Sequence, residues 1–255
     1  LPDPLDELEL KGIPDAPLRA FLEHHGFRTL LNRLSAVADA PVEHHEVPGL
    51  EEDPPCDHDA YETVVTEADL DRWIAEATHQ GWVAIDTETT GVDATRAELV
   101  GVSMALQPNK ACYIPIAHGG SDMFAEKPAQ LDRATMLAKL KPLFEDPAVL
   151  KIGHNFKYDW VMIVLGRCGI DVAPYDDSIV MSFDLDAGLH GHGMDELAAT
   201  HLSHSCIAYK DVVGTGKNQL GFHEVDLKAA TRYAAEDADV TLRLWRRFKP
   251  RLAYE

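Results

Sequence analysis

The spacing of apolar residues changes along the chain between short strand-like runs and a helical period, which predicts a mixed α/β domain. Short apolar runs predict five strands, and apolar residues at helical spacing predict the helices between and after them. Three strands in close succession indicate an antiparallel meander, and the later alternation of strands and helices indicates an α/β class. The predicted strands cover 61–65, 82–86, 99–106, 111–116 and 149–153, and the predicted helices 66–78, 131–144, 155–165, 177–185, 194–202 and 226–251.

The first sixty residues follow a different pattern. Residues 15–37 carry apolar side chains at helical spacing on both sides of Gly26, which predicts two short amphipathic helices. Residues 39–60 are rich in proline and acid and show no periodicity, which is typical of a linker. We therefore expect a helical segment over 1–38, an acidic linker over 39–60 and a folded domain over 61–255.

The net charge of the chain limits the kinds of molecule that it can bind unaided. The net charge is −20, and residues 1–70 alone hold 17 acidic and 4 basic residues. So acidic a protein gains little from the unspecific attraction between cations and phosphates. If it acts on nucleic acid, it needs metal ions or a basic partner domain.

Cysteine usage and hydropathy bear on the compartment. The four cysteines are widely separated and form no CxxC motif, which argues against a zinc ribbon or a disulfide scaffold and suits the cytoplasm. His201, His204 and Cys206 (HLSHSC) offer zinc ligands, but no fourth ligand follows at a suitable spacing. No apolar run approaches the ~20 residues of a membrane span, and no signal-peptide pattern opens the chain. Because the first residue is Leu1, we expect a piece of a longer protein.

Acidic side chains cluster around three of the predicted elements. The strand over 82–86 leads into Asp86 and Glu88, which point to the same side because strand side chains alternate. Asp159 follows a later strand, and Tyr233 and Asp237 share one face of the last helix because they are four residues apart. Four carboxylates in one place raise one another's pKa unless cations compensate them. Oxygen ligands select Mg²⁺ or Mn²⁺, and two such ions suit displacement at a phosphodiester.

These motifs resemble those of a known class of nucleases. The motifs DxE from Asp86, NxxxD from Asn155 and YxxxD from Tyr233, in this order, are similar to the three motifs of the DEDDy 3′–5′ exonucleases. The GKNQL stretch over 216–220 adds a likeness to one branch, the proofreading domains of bacterial family A DNA polymerases. The resemblance covers about 61–252, and residues 1–38 resemble the end of the 5′-nuclease region that precedes such domains.

The resemblance implies a ribonuclease H-like fold and release of 5′-mononucleotides from a DNA 3′ end by a two-metal mechanism. It implies Mg²⁺ or Mn²⁺, with Zn²⁺ as an alternative at one site. Asp86, Glu88 and Asp237 would hold the first ion, Asp86 and Asp159 the second, and Tyr233 would position the attacking water. The residues expected to contact the substrate are Thr89, Val92, His154, Asn155, Tyr158 and Phe222, with Val92 as an apolar wedge and Phe222 stacked on the strand.

The same resemblance implies binding partners and leaves two alternative functions open. The expected partners are a single-stranded or frayed DNA 3′ end and a polymerase domain, in the bacterial cytosol or nucleoid and without a membrane. One rival is an RNA 3′–5′ exonuclease of the ribonuclease D type. The other is a module that binds 3′ ends without cutting them.

Overall fold

The computed structural model describes residues 15–27, 30–31, 53–91, 93, 96–119, 127–159, 167–216 and 219–253. The chain forms two compact units, one of Leu1–Glu46 with Asp186–Gly191 and one of Val47–Leu185 with His192–Glu255. In the first unit, helix α1 spans Asp15–His24 and Gly26 follows with a positive φ of 66°. The second helix predicted before residue 38 lies mostly outside the described residues.

The second unit contains a mixed sheet of six strands: β1 Glu62–Thr63, β2 Trp82–Thr89, β3 Leu99–Gln107, β4 Lys110–Pro115, β5 Leu150–Gly153 and β6 Tyr175–Asp177. Their order in the sheet is β1-β4-β3-β2-β5-β6. β2, β3 and β4 form the predicted antiparallel meander, whereas the pairs β1–β4, β2–β5 and β5–β6 are parallel. The α/β class is thus confirmed, with six strands in place of five, because the three residues of β6 are too few to show an alternating pattern in the sequence.

The helices that the structure describes in this unit begin and end close to their predicted bounds. Most of the helix predicted over 155–165 lies outside the described residues. Thr66 caps the first of them through a hydrogen bond from the Asp69 backbone N–H, and Asp226 caps the last in the same way at Lys228 and Ala229. The sequence did not predict the short helix over Tyr209–Val213 or the 3₁₀ turn at Phe222–Glu224. The helices are α2 Glu67–Gln80, α3 Arg133–Glu145, α4 Ser178–Asp186, α5 Met194–Leu202, α6 Tyr209–Val213 and α7 Leu227–Arg251.

The two faces of β2 pack against different helices. Val83 and Ile85 belong to a core cluster with α2 and α3 residues. Ala84 points the other way and packs in a cluster with Ala235 and Ala238 of α7. Because these side chains are small, α7 lies close to the sheet. The alternation of β2 therefore directs its next residues on this side, Asp86 and Glu88, toward α7.

The segment before β1 is held on the domain. Residues 53–60 contain no helix or strand, as expected of a linker, but they bind to residues of the domain. The backbone N–H of Asp57 donates to Asn109 Oδ1 at 2.8 Å, and Asp59 pairs with Arg232 at 3.0 Å. The predicted linker thus reaches the domain several residues before the first strand.

Within the described part of the chain, we find no helix with the length and apolar character that a membrane crossing requires.

Candidate active site

The acidic motif of β2 lies inside the strand rather than after it. β2 continues to Thr89, so Asp86 pairs with Ser103 and Glu88 with Gly101 of β3. The strand register shifts between Glu88 and Thr89, which marks a bulge where the strand leaves the sheet. The neighbouring strand therefore fixes the backbone of both acidic residues.

α7 brings the third carboxylate to the same place. Ligand oxygens of Asp86, Glu88 and Asp237 all lie within 4.8 Å of one another. Tyr233 lies one helical turn before Asp237, and burial together with the nearby charge of Asp237 raises the pKa of its phenol. Strand pairing and the packing of small residues under α7 thus unite three residues that are up to 151 positions apart in the chain.

Asp159 reaches the site from the turn that follows β5. The Asp177 carboxylate anchors this turn by accepting hydrogen bonds from the backbone N–H groups of Asn155 at 3.0 Å and Phe156 at 2.9 Å. Asn155 has a φ of 60°, a left-handed conformation that asparagine tolerates better than most residues. Asp159 is buried and is not one of the three residues within 4.8 Å, but its Oδ1 accepts a hydrogen bond from the Thr87 hydroxyl.

Electrostatics in this cluster are unfavourable to four negative charges. Burial raises the pKa of Asp86 to about 7. Burial also raises the pKa of Glu88, Asp159 and Asp237 well above the usual range, and the charge of Asp86 adds to each of these shifts. The site therefore favours either bound protons or a bound cation.

The donor set fits hard divalent ions. The buried Oε1 atom of Glu88 has no hydrogen-bond partner within the described residues, although an unpaired buried carboxylate oxygen is costly. All four side chains offer oxygen atoms only, which are the ligands that Mg²⁺ and Mn²⁺ prefer. Asp86, Glu88 and Asp237 are close enough to hold one ion, and Asp86 with Asp159 could hold another.

Residues expected to contact the substrate lie around this cluster. The hydroxyls of Thr89 and Tyr158 are 3.2 Å apart, and both donate to the carbonyl of Gly91 at the exit of β2. His154 and Asn155 lie in the turn after β5, where His154 Nδ1 is 2.9 Å from the Ser178 hydroxyl. Val92 lies outside the described residues.

Phe222 differs from expectation. It is only 1% exposed, because its ring packs among those of Tyr113, Tyr209 and Tyr233. A buried ring has no free face for a base, so the stacking role predicted for Phe222 does not fit this structure. Tyr209 is 43% exposed and lies parallel to Phe222 with 6.4 Å between ring centroids.

The sequence did not predict three residues of the site, which are Thr87, Asp177 and Tyr209. Tyr209 lies beside Tyr233, with 5.9 Å between the ring centroids. Burial raises the pKa of Tyr209, and the charge of Glu88 adds to this shift. Thr87 and Asp177 act through hydrogen bonds to other parts of the site. Tyr209 stands at no regular spacing from the other site residues, so the sequence does not indicate it. Thr87 is the middle residue of the DxE motif, and strand alternation predicts that its side chain points away from the site.

Comparison with known proteins gives a consistent family. A model of the 3′–5′ exonuclease family matches residues 61–253. The DNA polymerase I of Rhizobium leguminosarum is 48% identical over 212 residues, which make up 78% of this chain and 21% of that protein. The DNA polymerase I of Pseudomonas aeruginosa is 42% identical over 187 residues, 72% of this chain and 20% of that protein. The chain thus spans about a fifth of the length of these relatives.

Solved structures share the fold at low sequence identity. NrnC of Brucella melitensis with bound Mg²⁺ superposes with a TM-score of 0.52 and 21% identity, over 76% of this chain and 80% of that one. Escherichia coli RNase D, an exoribonuclease, superposes with a TM-score of 0.53 and 15% identity, over 75% and 44%. The ribonuclease H-like fold expected from the motifs agrees with these neighbours. Because the family model matches residues 61–253, which are most of this chain, the chain belongs to the 3′–5′ exonuclease family.

Proposed function

We propose that this chain is a metal-dependent 3′–5′ exonuclease that removes nucleotides one at a time from the 3′ end of DNA and releases 5′-mononucleotides. The observation that carries the proposal is the convergence of Asp86, Glu88 and Asp237 within 4.8 Å, with Tyr233 one helical turn from Asp237. These residues carry the motifs of the family to which the chain belongs.

The four carboxylates would hold two divalent ions, Mg²⁺ or Mn²⁺, with Zn²⁺ as an alternative at one position. Asp86 and Glu88 on β2 with Asp237 on α7 would bind the first, and Asp86 with Asp159 the second. When bound, such ions lower the pKa of a water molecule and stabilise charge on the attacking and leaving oxygens of a phosphodiester.

Tyr233 has a distinct role because it stays protonated. Burial and the charges of Asp237 and Glu88 raise its pKa well above that of free tyrosine. A neutral phenol is a poor general base at neutral pH, but it orients a water molecule through its hydroxyl. We assign Tyr233 to the positioning of the attacking water.

The 3′-terminal nucleotides would lie between the exit of β2 and the Tyr209 ring. Thr89 and Tyr158 offer hydroxyls at that exit, and His154 and Asn155 add polar groups from the turn after β5. The exposed face of Tyr209 suits stacking on a base of any identity, which an enzyme without sequence preference requires.

The biological setting follows from the relatives. Since they are DNA polymerases, we propose that this domain edits the primer ends of an attached polymerase domain in the bacterial cytosol. An unpaired end enters such a site more easily than a paired one, because extruding a mismatched base costs less. A polymerase partner would also supply the DNA contacts that a chain of net charge −20 lacks.

The test is release of mononucleotides from single-stranded DNA by the 255-residue chain in Mg²⁺ or Mn²⁺. We expect Asp86→Ala to lower turnover by roughly 10³-fold or more, since it removes a ligand shared by both ions. Asp184→Ala, at an exposed aspartate of α4, is the matched control and should leave turnover unchanged. Chelator-resistant hydrolysis by Asp86→Ala would contradict the proposal.

Side-by-side digestion of DNA and RNA of the same sequence tests the substrate. We expect the DNA to be degraded faster, in keeping with the DNA polymerase relatives. Preference for RNA would favour the ribonuclease D type of activity, and tight binding of 3′ ends without release of nucleotides would favour a non-cutting module.

A further inference from the structure

A second group of metal-ligating side chains surrounds Glu236, outside the four carboxylates. The Nε2 atoms of His58 and His204 lie 2.7 and 2.8 Å from the same atom, Oε1 of Glu236. One ligand atom from each of the three residues lies within 4.8 Å of the other two. They come from the segment before β1, the loop after α5 and the middle of α7, so the fold alone unites them.

We propose that His58, His204 and Glu236 form a further metal site, which takes Zn²⁺ or another borderline divalent ion. Two imidazoles and one carboxylate are a donor set that zinc uses with a fourth position left to water. Imidazole nitrogen suits zinc, copper, iron and nickel, whereas Mg²⁺ and Mn²⁺ prefer oxygen. Of the HLSHSC stretch over 201–206, His204 alone belongs to this group, and the structure adds a second imidazole from His58, 146 positions before it.

The orientation of Glu236 supports this assignment. Its side chain is fully buried, and its other oxygen, Oε2, accepts a hydrogen bond from the Ile207 backbone N–H at 2.7 Å. That bond fixes the carboxylate and leaves Oε1 directed at the two imidazoles, as outer hydrogen bonds do for metal ligands. The side chains of His58 and His204 are 26% and 19% exposed, which provides a route for the ion and a position for water.

The metal would replace hydrogen bonds that these groups make to each other. The Nε2 atoms of both imidazoles lie within hydrogen-bond distance of Oε1 of Glu236. Ligation requires the Nε2 lone pair, so in the metal-bound state each imidazole carries its proton on Nδ1. Tetrahedral zinc places its ligand atoms about 3.3 Å apart, so the imidazoles must move outward by about half an ångström. His58 lies in a segment without helix or strand, which permits that shift.

This site is separate from the carboxylate site in chemistry and in direction. Glu236 precedes Asp237 in α7, and consecutive helical residues point about 100° apart. Asp237 faces oxygen ligands, whereas Glu236 faces nitrogen ligands. A bound ion at Glu236 would tie the segment before β1 to α7, independently of any nuclease activity.

The experiment uses the 255-residue chain with Asp86→Asn, which weakens binding at the carboxylates, in millimolar Mg²⁺. Zn²⁺ is titrated by calorimetry, and Co²⁺ binding is followed by visible absorption. We expect one tight equivalent of Zn²⁺, intense Co²⁺ bands typical of four or five ligands, and a rise in Tm of about 5 °C with excess Zn²⁺.

His58→Gln separates a metal site from a hydrogen-bonded contact, since glutamine donates a hydrogen bond but is a poor zinc ligand. We expect at least a tenfold loss of Zn²⁺ affinity, with the Tm in chelator little changed. His204→Gln should behave alike, and His79→Gln, at an exposed histidine of α2, is the matched control and should bind Zn²⁺ as the parent does. If the parent shows no tight equivalent, or if His58→Gln keeps it, the site is a hydrogen-bonded contact and the proposal is overturned.

Discussion

Glu236 and Asp237 are consecutive residues of α7, but the surroundings of their carboxylates are opposite. Glu236 lies within hydrogen-bond distance of two imidazoles and one backbone amide. Asp237 lies beside Asp86 and Glu88, with ligand oxygens of all three within 4.8 Å of one another. One turn of helix thus carries one carboxylate that the protein surrounds with hydrogen-bonding groups and one that it leaves among like charges.

The difference shows what decides whether a buried acid is structural or reactive. Hydrogen-bond donors compensate a buried carboxylate locally, so it can hold elements together. Carboxylates without donors leave the compensation to a cation or a proton, which is the condition for a site that binds hard metal ions. Imidazoles around an acid also change the class of metal that suits it, from Mg²⁺ toward Zn²⁺.

Substitution of the two neighbours tests this comparison most strongly. We expect Asp237→Asn to lower mononucleotide release by roughly 10³-fold while the domain stays folded. In Glu236→Gln the main effect should fall on stability, with a loss of about 2 kcal/mol in the free energy of unfolding, because an amide cannot accept every donor around it. Turnover assays and urea unfolding of both variants measure this. Near-normal turnover of Asp237→Asn would contradict the assignment of Asp237 to the nuclease reaction and of Glu236 to stability.

Tyr209 extends the comparison to the substrate. We expect Tyr209→Ala to raise KM for single-stranded DNA by about tenfold, because stacking on a base contributes about 1–3 kcal/mol. Tyr209→Phe keeps the ring and should restore KM. Steady-state kinetics on one oligonucleotide measure both, and an unchanged KM in Tyr209→Ala would mean that the bases stack elsewhere.

Thr87 tests how far hydrogen bonds support the carboxylates. Its hydroxyl donates to Asp159, so Thr87→Val removes that donor while keeping the size and branching of the side chain. We expect the Mn²⁺ concentration for half-maximal activity to rise about tenfold, as with other outer-sphere changes. Thr87→Ser should reverse the change. A loss of activity with an unaltered Mn²⁺ requirement would assign Thr87 to packing alone.

The smallest effect that we expect is on stability, because uncompensated carboxylate charges in the site lower the free energy of unfolding. The folded pKa of Asp86, about 7, is above the ~3.9 of unfolded aspartate, so between these pH values the folded state binds more protons. Its contribution to stability therefore decreases as pH rises from 4 to 7. In chelator, Asp86→Asn should have a Tm several degrees above that of the parent at pH 7.5 and a nearly equal Tm at pH 4. Thermal unfolding at both values measures this, and a lower Tm of the variant at pH 7.5 would refute it.

Local patterns predicted the elements that build the site, and long-range contacts escaped prediction. Alternation in β2 and the four-residue spacing of Tyr233 and Asp237 predicted which side chains share a face, because both follow from backbone geometry. The burial of Phe222 depends on Tyr113 and Tyr233, which lie far from each other in the sequence. The approach of His58 to Glu236 bridges 178 positions and has no period to reveal it.

Crystals of the 255-residue chain soaked in Mn²⁺ give the most direct test of the central claim, that Asp86, Glu88, Asp159 and Asp237 exist to hold divalent ions. Anomalous diffraction at the manganese edge locates such ions without reference to activity. We predict two peaks, one bound by Asp86, Glu88 and Asp237 and one by Asp86 and Asp159. The absence of any peak among these four carboxylates at saturating Mn²⁺ would contradict the account.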